Sequence, residues 1–418
     1  MKLILRGAVL IDGTGADPRD NTAVVVEGNR IVALDDQTPS RSSDDQVVDL
    51  NGLTLLPGLI DAHVHLGFVS FSQAALPPAA VLAAQIFRNC ELALVAGFTT
   101  VRDMGAIDGG LVQAVDGGLV RGPRILPSGP WLVQTGGHGD LIPPFSTGLH
   151  GLEIPGLYSP GLVCNGPDEI RLGARTAFKR GARQLKVIIS GGVASLSDNL
   201  DDTQFTVPEL QAAVAEAEAR STYVAAHAHN VRAIRNGLTA GITCFEHGTF
   251  LDEPTAAEMA KAGAVVVPTL SVSHLLLQDW RQEGFPEEVV PRLARCDEAT
   301  RESIKLARQA GVLVGSGTDS MGPEQNRRGL ELVLKSQILS PMEAIVSATR
   351  VNSQILRVDD HLGTVAAGKL ADLIAIDGDP LAEPEVFDDP TRVVLVIKNG
   401  VIIKDARSLV PSKMPQAS

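Results

Sequence analysis

Between residues 55 and 319 the chain repeats one pattern eight times: a short apolar run, a turn, and in most cases a stretch with helical periodicity. The eight runs are LLPGLIDA, FTTVRD, RILPSG, QLKVIIS, TYVAAHA, ITCFEH, AVVVPT and VLVGSGTD. Stretches such as PPAAVLAAQIFRNCELALVAG and VPELQAAVAEAEARS separate them. In the second of these, Pro208 stands at the helix start, where a missing N–H costs little. Eight strand–helix units match a (β/α)8 TIM-like barrel. A doubly wound open sheet would give the same alternation. Hydrophobic residues make up 44% of the chain and aromatics only 4%, so the core must be built from Ala, Val, Leu and Ile.

The two ends read differently. KLILRGAVLI, NTAVVVEGNRIVALDD and QVVDLNGLTLL are β-rich runs broken by Gly, Asn and Asp. The C-terminal part repeats that style in GKLADLIAIDGDP and TRVVLVIKNGVIIKD. Gly28-Asn29 and Asn399-Gly400 are hairpin turn pairs. One small β-sandwich domain built from both termini is expected. The organisation predicted is residues 1–56 in the sandwich, 57–357 in the barrel and 358–418 in the sandwich again. The Gly- and Pro-rich stretch 130–166 is long for a loop in a compact domain, which marks it as functional or partly disordered. The acid-rich stretch 197–205 reads as a lid or a solvated loop, and the last residues as a loose tail.

A formal charge of −13 argues against a nucleic-acid or anionic-membrane binder, both of which need a basic face. Cysteines 90, 164, 244 and 296 form no CxxC pair and no disulfide framework, which predicts reduced, buried thiols and a cytoplasmic location. The N-terminus lacks a signal-peptide core, and no run of about twenty apolar residues predicts a membrane span. GxSxG, HExxH and Walker motifs are absent, and DGTGAD (12–17) reads as a turn.

Chemistry-bearing groups recur where the strands end. The first run ends at His63 and His65, the fourth carries Lys186, the fifth ends at His227 with His229 beyond it, the sixth at His247, and the eighth at Asp319. In a barrel of parallel strands those ends share one rim. Alternation along an extended chain points residues i and i+2 the same way, so His63 and His65 can grip one ion. A lone HxH pair is weak evidence. Matching ligand types at further strand ends turn it into a metal site of imidazole and carboxylate. Lys186 stands among Leu185, Val187, Ile188 and Ile189 in a strand buried on both faces, where a bare ammonium is costly. Either its tip reaches the rim and pairs with a carboxylate, or it is a carbamate formed with carbon dioxide that bridges two metals. Charge counting favours the carbamate, because Asp319 and a bridging hydroxide offset only half the charge of two divalent ions.

LPGLIDAHVHL, LKVIISGGVAS, VAAHAHN, FEHG and GSGTDS together resemble the amidohydrolase superfamily, and within it the Xaa-Pro dipeptidase and ochratoxin-hydrolysing amidase branch. The resemblance covers essentially the whole chain. It implies two Zn2+ (or other divalent ions) per chain, one held by His63, His65 and Asp319, the other by His227 and His247, with carboxylated Lys186 and a hydroxide between them. It implies that the hydroxide attacks a small amide or dipeptide while Asp319 shuttles the proton to the leaving amine. His229 would be catalytic and substrate-binding, polarising the carbonyl, or would orient a ligand. His138, in TGGHGD, would approach the substrate. Arg102 is expected to pair with Asp103 at the rim or to bind a substrate carboxylate, a role for which Arg232 is a weaker candidate. His150, His274 and His361 match no motif. Relatives are often multimeric, so a homo-oligomer is expected. The rival readings are a lactonase, deaminase or phosphotriesterase on the same centre, or a non-catalytic scaffold of the dihydropyrimidinase-like kind.

Overall fold

The computed structural model describes residues 2–35, 42–69, 76–141, 153–193, 198–281, 287–322 and 325–410. The chain divides into two compact units. One comprises Met1–Ile60, Leu92–Thr100 and Asn326–Ser418, the other Asp61–Glu91 and Val101–Gln325.

The first unit contains two sheets. A four-stranded sheet runs in the order Arg30–Asp35, Ala23–Glu27, Lys2–Arg6, Gln46–Asp49. A six-stranded sheet runs in the order Val401–Asp405, Val393–Lys398, Leu373–Ile376, Thr54–Pro57, Val9–Leu10, Arg19–Asp20, so three C-terminal strands join three N-terminal ones in one sheet. Leu5, Val24, Ile31 and Val48 of the first sheet share one buried cluster with Leu10, Leu55, Leu373 and Leu395 of the second, the signature of a sandwich. Both anticipated hairpins form. Asn399 and Gly400 take φ of 53° and 75°, the left-handed pair of a type I′ turn, while in the other turn only Gly28, at the first position, has a positive φ, as in a type II′ turn.

The barrel strands are β1 (Leu59–Val64), β2 (Phe98–Asp103), β3 (Arg124–Pro127), β4 (Leu185–Ile188), β5 (Val224–Ala228), β6 (Cys244–His247), β7 (Val265–Val267) and β8 (Leu313–Val314). They are the eight runs read from the sequence. β4 to β8 pair in parallel in chain order. Backbone bonds join the rest: Met104 N to Val64 O (2.8 Å), Ser128 N to Asp103 O (2.9 Å) and Arg183 N to Pro127 O (2.7 Å). The ring closes where Ala62 N donates to Ser316 O (3.0 Å) and Asp319 N to His63 O (2.8 Å). That closure removes the open-sheet alternative. Stretch 130–166 is not wholly irregular, since Leu132–Val133 and Leu162–Val163 pair with each other and extend the sheet from β4.

Strand parity sorts the barrel residues. Leu185, Val187 and Ile189, then Val224, Ala226 and Ala228, then Phe245 and Val266, pack outward against helix residues such as Ile170, Ala174, Leu210, Ala213, Ala233 and Ile234. The alternate positions, including Lys186, His227 and Glu246, therefore face the barrel axis. The helices between strands start on local signals. Thr206 and Glu209 form a capping box before helix Val207–Glu218, with Pro208 in the first turn. Asn230 caps Val231–Ala240, which ends at left-handed Gly241 (φ 97°). Among the described residues no helix is long and apolar enough to cross a membrane. All four cysteines are free and buried, as expected.

Candidate metal centre

The axis-facing positions at the C-terminal ends of the strands converge. His63, His65 and Asp319 offer one ligand atom each, all within 4.8 Å of one another, and His227, His229 and His247 do the same. His63 Nε2 and His65 Nε2 lie 3.5 and 3.3 Å from Asp319 Oδ1. The two triplets are continuous: the ring centroids of His63 and His247 are 5.0 Å apart, and those of His227 and His247 4.6 Å. His229 thus stands inside the second triplet, its ring stacked on His247 at 4.9 Å. His138 reaches the same region from its loop, with its ring 4.7 Å from that of His227.

Two of these residues sit in unusual backbone. His247 and Asp319 take φ of 67° and 52°, left-handed values that non-glycine residues seldom adopt. Both stand where a strand ends and a side chain must be turned toward the axis. Gly248 N, bonded to Ala228 O at 3.0 Å, and Asp319 N, bonded to His63 O, hold the two turns.

Four of the imidazoles are oriented through Nδ1. His63 Nδ1 is 2.7 Å from Glu246 Oε2, so it donates to the carboxylate and leaves Nε2 as an acceptor. That Nε2 is buried and has no hydrogen-bond partner. His65 Nδ1 faces Gly105 O at 3.3 Å, His229 Nδ1 faces Thr249 Oγ1 at 2.8 Å, and His247 Nδ1 faces Thr269 Oγ1 at 2.8 Å. Burial pushes every ring toward its neutral form. His63, His227 and His247 fall well below the usual histidine value, and His65 and His229 fall to about 3, with the Lys186 charge adding to the effect on each. Burial also lowers His138, against the pull of Asp198. Lys186 is 2% exposed; burial takes its ammonium down to about 8, opposed by Glu246 and Asp319. Neutral imidazoles, a carboxylate and an orphaned buried nitrogen are the donor set of a divalent-metal site.

Glu246 is the residue that the sequence reading passed over. It is fully buried and also accepts from Arg102 Nη2 at 2.7 Å. Arg102 further donates to Ala62 O (2.6 Å) and faces Tyr223 and Cys244. Burial works against its charge, but Glu246 and the neighbouring Cys244 and Tyr223 hold it well above the ordinary value. The expected Arg102–Asp103 pair at the rim is therefore corrected: Arg102 is completely buried, pairs with Glu246, and cannot reach a substrate. Asp103 instead accepts from Leu66 N and Gly105 N. Parity could have placed Glu246 inward, because it alternates with outward Phe245, but nothing in the sequence ties it to a partner 144 residues away.

Arg232 donates to Asp201 O rather than facing the centre. Asn230 donates to Leu200 O and Asp202 O, and Arg292 to Asp198 O. These bonds hold the described part of the acid-rich stretch on the barrel rim. Residues 194–197 and His150 lie outside the described residues. His274 contacts Gln278 on its own helix, and His361 belongs to the other unit.

The model of the amidohydrolase family matches residues 54–403. Ochratoxinase of Aspergillus niger is 30% identical over 416 residues, covering 96% of this chain and 86% of the relative. A prolidase crystallised with N-methylphosphonate-L-proline is 37% identical with a TM-score of 0.91, covering 97% of this chain and all of that one. A Xaa-Pro dipeptidase with methionine in its active site is 32% identical with a TM-score of 0.86, at 97% and 100% coverage.

Proposed function

The chain belongs to the amidohydrolase family, and from that premise we propose that it hydrolyses the amide bond of a small N-acyl amino acid or dipeptide with two divalent metal ions, zinc in the first instance. The observation that carries the metal part is the pair of adjoining triplets whose imidazoles are all held neutral. The substrate class is supported by the relatives, an ochratoxinase, a prolidase and a Xaa-Pro dipeptidase, and the favoured leaving group is proline or a hydrophobic amino acid. The four buried free thiols support a reducing compartment, the cytoplasm.

His63, His65 and Asp319 would hold one ion and His227 and His247 the other, with Lys186, as a carbamate, supplying a further anionic ligand. Reaction of the lysine with carbon dioxide would replace the buried cation by a carbamate anion and release two protons to solvent, which relieves the cost of an ammonium among six imidazoles. When bound, two such ions lower the pKa of water to the neutral range and polarise the scissile carbonyl. Asp319 takes the proton of the attacking water and delivers it to the leaving nitrogen, which departs as a neutral amine. His229, fixed by Thr249, donates to the carbonyl oxygen as negative charge develops there. His138 contacts the substrate from above His227.

The test is turnover by zinc-loaded protein on acyl-proline, acyl-phenylalanine, lactone and phosphotriester substrates. Cleavage of one of the acyl amino acids, lost on chelation and restored by zinc, is expected. Lactone or phosphotriester turnover without amide turnover would sink the substrate assignment.

A further inference from the structure

Trp131 occupies a site built for it. The indole is 5% exposed and closed in by backbone that carries no side chains. A Cβ on Gly105 would lie 2.2 Å from Cε3, one on Gly139 2.7 Å from Nε1, and one on Gly161 2.2 Å from Nε1. Three glycines from three separate segments thus leave room for one ring. Gly105 and Gly139 are also held at φ of 136° and 95°.

Two connections run from this ring toward the metal centre. Its edge meets the His65 ring at 5.8 Å and 87°, an edge-to-face contact. The carbonyl of Gly105, the residue whose missing Cβ makes room for the same indole, takes the His65 Nδ1 proton at 3.3 Å. On the other side Nε1–H donates to Gly139 O at 3.0 Å, one residue beyond His138. His138 N in turn donates to Gln204 at 3.0 Å, which leaves its ring over His227. One side chain therefore steadies a ligand of the first triplet and the segment whose histidine covers the second.

We propose that Trp131 is a positioning residue: it sets the ring plane and tautomer of His65 and anchors the His138 segment, so that metal held by His65 and the placement of His138 are coupled through the indole. The inference rests on the metal reading above. Its physical content is that a ligand's outer partners tune its metal affinity, typically 10–100-fold, and that a large rigid ring transmits displacement where a flexible one absorbs it.

The experiment uses the full chain. Trp280 is the other of the two tryptophans, so Trp280→Phe leaves Trp131 as the single indole fluorophore. Metal-free Trp280→Phe protein is titrated with zinc while uptake is measured by equilibrium dialysis. The indole emission should change saturably with the midpoint of uptake. Separately, Trp131→Phe, which keeps a ring but loses Nε1–H, should bind zinc about 10–100-fold more weakly in competition with a chelator. Its metal-free melting temperature serves as the control for a merely structural role. Zinc uptake with an unchanged indole spectrum overturns the inference and leaves the metal reading standing, as does a Trp131→Phe protein that melts lower but binds zinc as tightly as the parent. No zinc uptake by the parent overturns both. The spectroscopic arm changes nothing at Trp131 and so does not depend on that variant folding.

Discussion

Glu246→Gln should weaken zinc binding and lower the stability of the metal-free protein together, for two separable reasons. Glu246 Oε1 is 2.7 Å from Arg102 Nη2 and Oε2 is 2.7 Å from His63 Nδ1, and neither side chain is exposed. Glutamine keeps the shape but removes the charge. Leaving one partner of a buried ion pair uncompensated costs about 3–5 kcal/mol. The amide oxygen would turn to Arg102, which presents the NH2 to His63 Nδ1–H, donor against donor. The imidazole can escape only by moving its proton to Nε2, the atom aimed at Asp319. Zinc affinity should then fall about 10–100-fold, roughly 1.4–2.7 kcal/mol. Differential scanning calorimetry of metal-free protein reads the first effect, and chelator competition reads the second. A double variant, Glu246→Leu with Arg102→Met, removes both buried charges and should recover much of the melting temperature while zinc affinity stays low, because His63 has lost its acceptor. Parent-like zinc affinity in Glu246→Gln would refute the tautomer argument. An unchanged melting temperature would refute the claim that Arg102 depends on this carboxylate.

Asp319→Asn should abolish amide turnover while the far-ultraviolet circular dichroism and melting profile stay those of a folded barrel; full activity would exclude the proton-transfer role. The cysteines should be silent toward Ellman's reagent in the native protein and titrate as four thiols only after unfolding. Burial pushes the Cys164, Cys244 and Cys296 thiols up to about 12. Unfolded thiols ionise from about 8.5 while these folded ones stay protonated, so stability should fall as pH rises above 9. A flat stability profile from pH 8 to 10 would contradict that.

The fold was legible where residues act alone or with near neighbours. All eight barrel strands could be read because each is an apolar run ended by a turn, and Asn399-Gly400 marked its hairpin because few other pairs accept two positive φ values. His63 and His65 announced themselves by spacing. What stayed hidden was set by distant partners. Arg102 looked like a rim residue because its neighbour Asp103 is acidic, yet its counter-charge comes from Glu246 on β6. His229, by contrast, was legible as a neighbour of His227, since it lies two residues on along an extended chain and shares its face. Gly139 and Gly161 read only as members of a long Gly- and Pro-rich loop, and nothing singled out Gly105. Only the fold shows that Gly105, Gly139 and Gly161 surround one indole. Glycine in a sequence signals freedom or close approach, and composition does not separate the two.

Strand parity also predicts that neighbours in sequence will fail differently. Phe245 and Glu246 are adjacent and both fully buried, but Phe245 faces the helices and Glu246 the axis. The Phe245 ring packs so closely that a Cβ on Gly237 would lie 2.8 Å from Cε1 and 3.2 Å from the Ile189 side chain. Phe245→Ala should therefore open a cavity that helix Val231–Ala240 cannot fill without breaking its caps at Asn230 and Gly241, and should cost about 3–5 kcal/mol. Its zinc affinity, measured below the lowered melting point, should stay within about threefold of the parent's, well short of the tenfold expected when a ligand loses its outer partner. Glu246→Gln should show the reverse emphasis, with a large change in affinity. If Phe245→Ala loses zinc as Glu246→Gln does, then packing and chemistry are not divided between the two faces of β6, and the placement of Glu246 by alternation loses its support.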